Sequence, residues 1–66
     1  MIWITIKQAI KVLESREQEI KISIKRYKNI YIIHDKKGKT ITEYTEQGFK
    51  KYFNEYCEYF KLGFMV

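Results

Sequence analysis

Apolar residues recur along this chain with two periods, and each period predicts a different element. Ile6, Ala9, Ile10 and Leu13 stand at i, i+3, i+4 and i+7, while Lys7, Gln8, Lys11 and Glu14 take the other positions. That spacing puts one apolar stripe along an α-helix. Phe49, Tyr52, Phe53, Tyr56, Cys57 and Phe60 repeat the spacing further on, opposite Lys50, Lys51, Asn54, Glu55, Glu58 and Lys61. They predict a second helix, capped by Thr45 at its start and by Gly63 after Leu62. Between the helices the period falls to two. Ile30–His34 and Thr40–Tyr44 are rich in β-branched and aromatic residues, and Asp35-Lys36-Lys37-Gly38 between them is turn chemistry. A β-hairpin is expected there, with Gly38 supplying positive φ. Met1–Ile4 leaves room for a brief strand.

Residues 16–28 fit both periods. As a helix, Ile20, Ile24 and Tyr27 form a stripe at i, i+4 and i+7. As a strand, Ile20, Ile22 and Ile24 alternate with Lys21, Ser23 and Lys25. Ser15-Arg16-Glu17-Gln18 has a capping hydroxyl followed three residues later by Gln, as does Thr5-Ile6-Lys7-Gln8. That pattern favours a helix start, whereas the β-branched isoleucines favour a strand. Two helix starts ten residues apart, followed by a lysine-rich hairpin, outline a helix-turn-helix with a wing.

The stretch Thr5-Ile6-Lys7-Gln8-Ala9-Ile10-Lys11-Val12-Leu13, continuing through Ile20-Lys21-Ile22-Ser23-Ile24-Lys25 to Lys28-Asn29-Ile30, resembles the winged helix-turn-helix family of excisionases and MerR-type regulators. The likeness needs no gap and covers about the first half of the chain. Glu14 stands where that family has its turn glycine, and Lys21 keeps the first of its paired recognition cations. The resemblance implies an α+β fold ordered as short strand, two helices, β-hairpin wing and C-terminal helix. It also implies double-stranded DNA as partner and a role in excision or transcription regulation. The recognition helix would span about residues 16–28, and the basic wing about residues 35–40. The alternative fold is helix, three-stranded antiparallel meander, helix. Its function class differs too: a small phage- or plasmid-type binding module or inhibitor that engages an acidic protein.

Charge sharpens the picture. Residues 21–51 hold nine basic and three acidic side chains, whereas residues 1–20 are neutral and 52–66 carry one net negative charge. A focus of positive charge suits a polyanion, and a solvated lysine-rich surface is the plain alternative. Under the DNA reading, Gln18 and Lys21 would meet base edges, and Lys25 and Lys28 would meet phosphates. Lys36, Lys37 and Lys39 would grip the backbone from the hairpin tip.

At 66 residues, one domain with one small core is expected. Cys57 is the single cysteine and His34 stands alone, so neither a disulfide framework nor a metal site is expected, and no cofactor motif is present. No nucleophile–base–orienter set, paired carboxylates or phosphate-cradling glycine loop is visible, so an enzyme is not expected. The longest apolar run, Ile30–Ile33, is far too short for a membrane span, and a cytoplasmic location is expected. Trp3 is expected to anchor the core. Tyr59 and the tail Phe64-Met65-Val66 are expected to offer a patch for a second copy or a protein partner.

Overall fold

In the computed structural model, which describes residues Met1–Val66, the first helix begins where its sequence pattern places it. A two-residue strand, β1 (Ile2–Trp3), precedes helix α1 (Ile6–Arg16). The Thr5 hydroxyl accepts the Gln8 backbone N–H at 3.1 Å, and Gln8 Oε1 accepts the Thr5 N–H at 2.9 Å. Both halves of the capping box are therefore made.

The second capping signal is not used. Ser15 lies inside the last turn of α1, which ends when the Glu17 N–H donates to the Leu13 carbonyl at 2.7 Å. Gln18 and Glu19 form a tight turn, and strand β2 (Ile20–Lys25) follows. Strands β3 (Ile30–Asp35) and β4 (Thr40–Thr45) complete a three-stranded sheet of order β2-β3-β4, antiparallel throughout. Helix α2 (Glu46–Phe60) closes the domain, and strand β5 (Phe64–Met65) pairs in parallel with β1. The winged helix-turn-helix arrangement is thus overturned: no recognition helix spans residues 16–28, and the hairpin expected as a wing is two strands of a meander. The chain has the helix–meander–helix order instead.

The reason lies in what each conformation of residues 20–25 buries. A helix would gather Ile20 and Ile24 but turn Ile22 away. The strand puts all three isoleucines on one face, where Ile22 pairs with Ile33 and Ile24 with Tyr31. It also satisfies the backbone against β3, and Ile22 joins the partly buried residues packed on the core. Glu14 fixes the register from outside. Its carboxylate accepts the Ile22 N–H at 2.9 Å, so α1 shields part of the β2 edge.

Both helices cover the same face of the sheet. The core consists of Ala9 and Leu13 from α1, Tyr31 from β3, and Phe49, Phe53 and Cys57 from α2. Tyr31 stacks on Phe49 with ring centroids 4.9 Å apart, and Tyr44 stacks on Tyr52 at 5.1 Å. Thr45 caps α2 by accepting the Gly48 N–H at 3.1 Å. At the other end, Lys61 adopts the left-handed conformation at the cap, two residues before Gly63, which also has positive φ.

Two apolar expectations need correction. Trp3 is 71% exposed and does not anchor the core. The tail is docked rather than free: Phe64 and Val66 pack on the core, and the Val66 backbone exchanges hydrogen bonds with the Asn54 amide at 2.8 and 3.1 Å. Of the expected patch, Tyr59 alone is strongly exposed. No helix is long and apolar enough to cross a membrane.

Candidate functional site

Alternation along the strands decides which side chains face away from the helices. Ile22, Ile33, Tyr31 and Tyr44 point inward, so the residues between them point outward. The outer face carries Lys21, Ser23 and Lys25 on β2, Ile30, Ile32 and His34 on β3, and Thr40, Glu43 and Thr45 on β4. A register shift opposite His34 adds an extra residue to β4, and Ile41 stands 57% exposed at that position. No element packs over this face, because α1 and α2 are both committed to the other side.

The sheet also holds the net charge of the molecule. Residues 20–45 contain seven basic and two acidic side chains, a surplus equal to the whole net charge of +5. The flanking segments 1–19 and 46–66 are each balanced, three against three. The cations gather at the two ends of the sheet. At one end the turn after Asp35 presents Lys36, Lys37 and Lys39, and Lys21 pairs with His34 nearby. At the other end Lys25 pairs with Ile30, beside the exposed turn that carries Arg26 and Lys28. A six-residue strand separates the two groups by roughly 17 Å.

Each turn is shaped by its own sequence. The Asp35 carboxylate accepts the Lys37 and Lys39 backbone N–H groups, both at 2.9 Å, while Gly38 takes φ +88°. The aspartate is thereby engaged inside the turn, and the three lysine side chains project from it. In the β2–β3 turn Asn29 adopts φ +51°, a conformation asparagine tolerates well. Tyr27 is 83% exposed there, with the Lys28 ammonium 5.6 Å from its ring centroid.

Six of the seven expected DNA-contact residues therefore share this face and its ends: Lys21, Lys25, Lys28, Lys36, Lys37 and Lys39. They project from strands and turns, not from a helix. Gln18 lies in the α1–β2 turn, so base reading by Gln18 and Lys21 from one helical face does not occur. Sequence reasoning passed over four members of the face and its ends. The helical reading spends Tyr27 on an apolar stripe and gives Arg26 no role. Ser23 and His34 lie in different segments, and only strand pairing brings Ser23 Oγ to 2.9 Å from His34 Nε2. The alternation Lys21-Ser23-Lys25 was the available signal for the β2 residues.

The titratable groups with displaced pKa values lie elsewhere. Burial, aided by the Glu46 charge, raises the Tyr31 phenol. Burial also raises Tyr52, with Tyr44, Tyr56 and Glu17 adding to the effect. It raises Tyr56 as well, whose hydroxyl donates to Glu17 at 2.8 Å and accepts from Arg16 at 3.2 Å. The Cys57 thiol is raised chiefly by burial, so it lacks the thiolate character of a reactive cysteine. No cluster of three or more His, Cys, Asp or Glu side chains is placed to hold a metal ion. A groove of about 700 Å³ runs between α2 and the β1–β5 pair, lined in part by Lys51, Asn54, Glu58 and Met65. Its charged rim is balanced, Lys51 and Lys61 against Glu55 and Glu58, whereas the sheet is net positive. No known family, characterised protein or solved structure matches this chain.

Proposed function

We propose that this chain binds double-stranded DNA through the open face of its three-stranded sheet, with no helix entering the groove. One observation carries the reading: the whole surplus of +5 sits on residues 20–45, the sheet whose outer face no helix covers and the two turns at its ends. Three strands about 4.8 Å apart make a face roughly 10 Å wide, comparable to a major groove about 12 Å wide. Laid along the groove, the face sets Lys36, Lys37 and Lys39 at one end and Lys25, Arg26 and Lys28 at the other, each group within reach of phosphates. Ile30, Ile32 and Ile41 along the face offer apolar contact of the kind thymine methyl groups accept. Backbone contacts dominate this arrangement, so affinity is expected to exceed sequence selectivity. The setting is cytoplasmic, consistent with a single buried thiol.

Fluorescence anisotropy of a labelled duplex over a range of salt tests the proposal. Each phosphate neutralised releases counterions, so log affinity should fall with log salt by about 0.9 per contact. Affinity that ignores salt, or no binding to any duplex at low salt, overturns it.

A second reading, a module that engages an acidic protein, is favoured by one observation. The apolar side chains Ile30, Ile32 and Ile41 spread along the open face, with cations in the turns at its ends, resemble the apolar patch and polar rim of a protein interface. Failure to bind any duplex, together with saturable binding to an acidic protein that Ile32→Asp abolishes, would establish that reading instead.

A further inference from the structure

The geometry points to a proton-gated phosphate seat on the open sheet face, built from Lys21, Ser23 and His34. It rests on the DNA-binding reading and names where, and in which protonation state, one backbone phosphate is held.

Two hydrogen bonds of one imidazole define the site. His34 Nδ1 lies 3.0 Å from the Asp35 carbonyl oxygen, which can only accept, so Nδ1 carries a proton. In the neutral ring Nε2 is then an acceptor, and the Ser23 hydroxyl 2.9 Å away donates to it. The serine proton is consumed, and the outward side of Ser23 Oγ presents lone pairs, which repel a phosphate oxygen. When His34 takes up a proton from solvent, Nε2–H becomes the donor and Ser23 Oγ the acceptor. Neither hydrogen bond is lost. The serine proton is released to point outward, and a unit positive charge appears beneath it.

Lys21 is the strand partner of His34 on the same face, so the protonated site combines an ammonium, an imidazolium and an outward hydroxyl donor. That set matches a phosphate diester, which accepts hydrogen bonds and carries one negative charge. Thr40 pairs with His34 from β4, and its exposed hydroxyl borders the site. The charged groups around His34 are few. They are Lys21, the turn lysines 36, 37 and 39, and Glu43, the one carboxylate on the outer face. The Asp35 carboxylate is engaged by turn N–H groups, and the helices lie behind the sheet. A phosphate between Lys21 and His34 offsets their repulsion, so binding and proton uptake reinforce each other. Histidine as a residue type exchanges its proton between roughly pH 5 and 8, and that is the interval to search.

Two arms test the seat. In the first, inorganic phosphate is titrated against the protein at constant ionic strength, with chloride as control, and the His34 imidazole is followed by NMR. The midpoint of its titration is expected to rise in phosphate relative to chloride, and Ser23→Ala is expected to shrink that rise. In the second, duplex affinity is measured from about pH 8 to about pH 5.5. It is expected to rise several-fold, and the salt slope to steepen by about 0.9, one added contact. His34→Gln is expected to remove the pH dependence.

Duplex binding with one affinity across this range, and a His34 titration indifferent to phosphate, overturn the seat and leave the DNA reading standing. A phosphate-sensitive His34 in a protein that binds no duplex supports the seat and refutes the DNA reading. Persistence of the full pH dependence in His34→Gln, with the fold verified by its amide spectrum, assigns the gate elsewhere and refutes the proposal.

Discussion

The two faces of the sheet are made from the same three strands and differ in almost every physical respect. The inner face carries Tyr31 and Ile33, 6% and 4% exposed, against helices whose flanking segments are electrically balanced. The outer face carries lysines, a serine–histidine pair and three isoleucines, with nothing packed on it. The core is therefore concentrated on one side, and the net positive charge on the strands' open side and the turns at their ends. A chain this short has one core to spare, and placing both helices on one face is what leaves the opposite face open for binding. Substitutions on the two sides should act on different observables.

The largest stability effect is expected at the centre of the inner side. Phe53 is fully buried, and Phe53→Ala should cost about 3–5 kcal/mol, enough to leave a domain of this size largely unfolded by circular dichroism. Alkaline pH should act on the same side. Tyr31, Tyr52 and Tyr56 hold their phenol protons more tightly folded than unfolded, because burial penalises the phenolate. Their contribution is fully present below the ordinary tyrosine value of about 10 and is lost as pH rises through the higher folded values. The melting temperature should accordingly fall above about pH 10.

Thr5→Ala removes the hydroxyl that caps α1 and should cost about 1 kcal/mol in urea denaturation. Changing Lys36, Lys37 and Lys39 together to Ala should alter stability by less than about 0.5 kcal/mol, since all three are exposed. The same triple change should flatten the salt dependence of duplex binding by up to about 2.7 in log–log slope. A large loss of stability without any change in slope would dissolve the contrast between the faces. The smallest effect is expected at Ser15. It caps nothing, so Ser15→Ala should leave stability unchanged or raise it by a few tenths of a kcal/mol, opposite in sign to Thr5→Ala.

Those last two sites show how much was legible in the chain. Thr5 and Ser15 begin the same hydroxyl-x-x-Gln pattern, and Thr45 offers a third capping hydroxyl. Thr5 and Thr45 cap helices, and Ser15 does not. Behind Thr5 and Thr45 the apolar spacing is helical without a break, whereas behind Ser15 three isoleucines alternate with polar residues. A cap satisfies one or two backbone donors, about 1 kcal/mol, and does not outweigh pairing six residues with β3 while Ile22 packs on the core. The local signal was real, and its weight was too small.

Periodicity and turn chemistry determined both helices and the Ile30–Thr45 hairpin, because these depend on neighbours a few residues away, and the concentration of cations in the middle of the chain is a property of the sequence itself. Tertiary structure decided the conformation of Ile20–Lys25, the exposure of Trp3 and the docking of the tail on Asn54. It also decided the meeting of Ser23 with His34. Each depends on a partner distant in sequence: Ile33 and Tyr31 for the strand, Glu14 for its edge, and the β2–β3 register for the serine–histidine pair. Strand pairing is satisfied across space, and no local pattern records which partner is chosen.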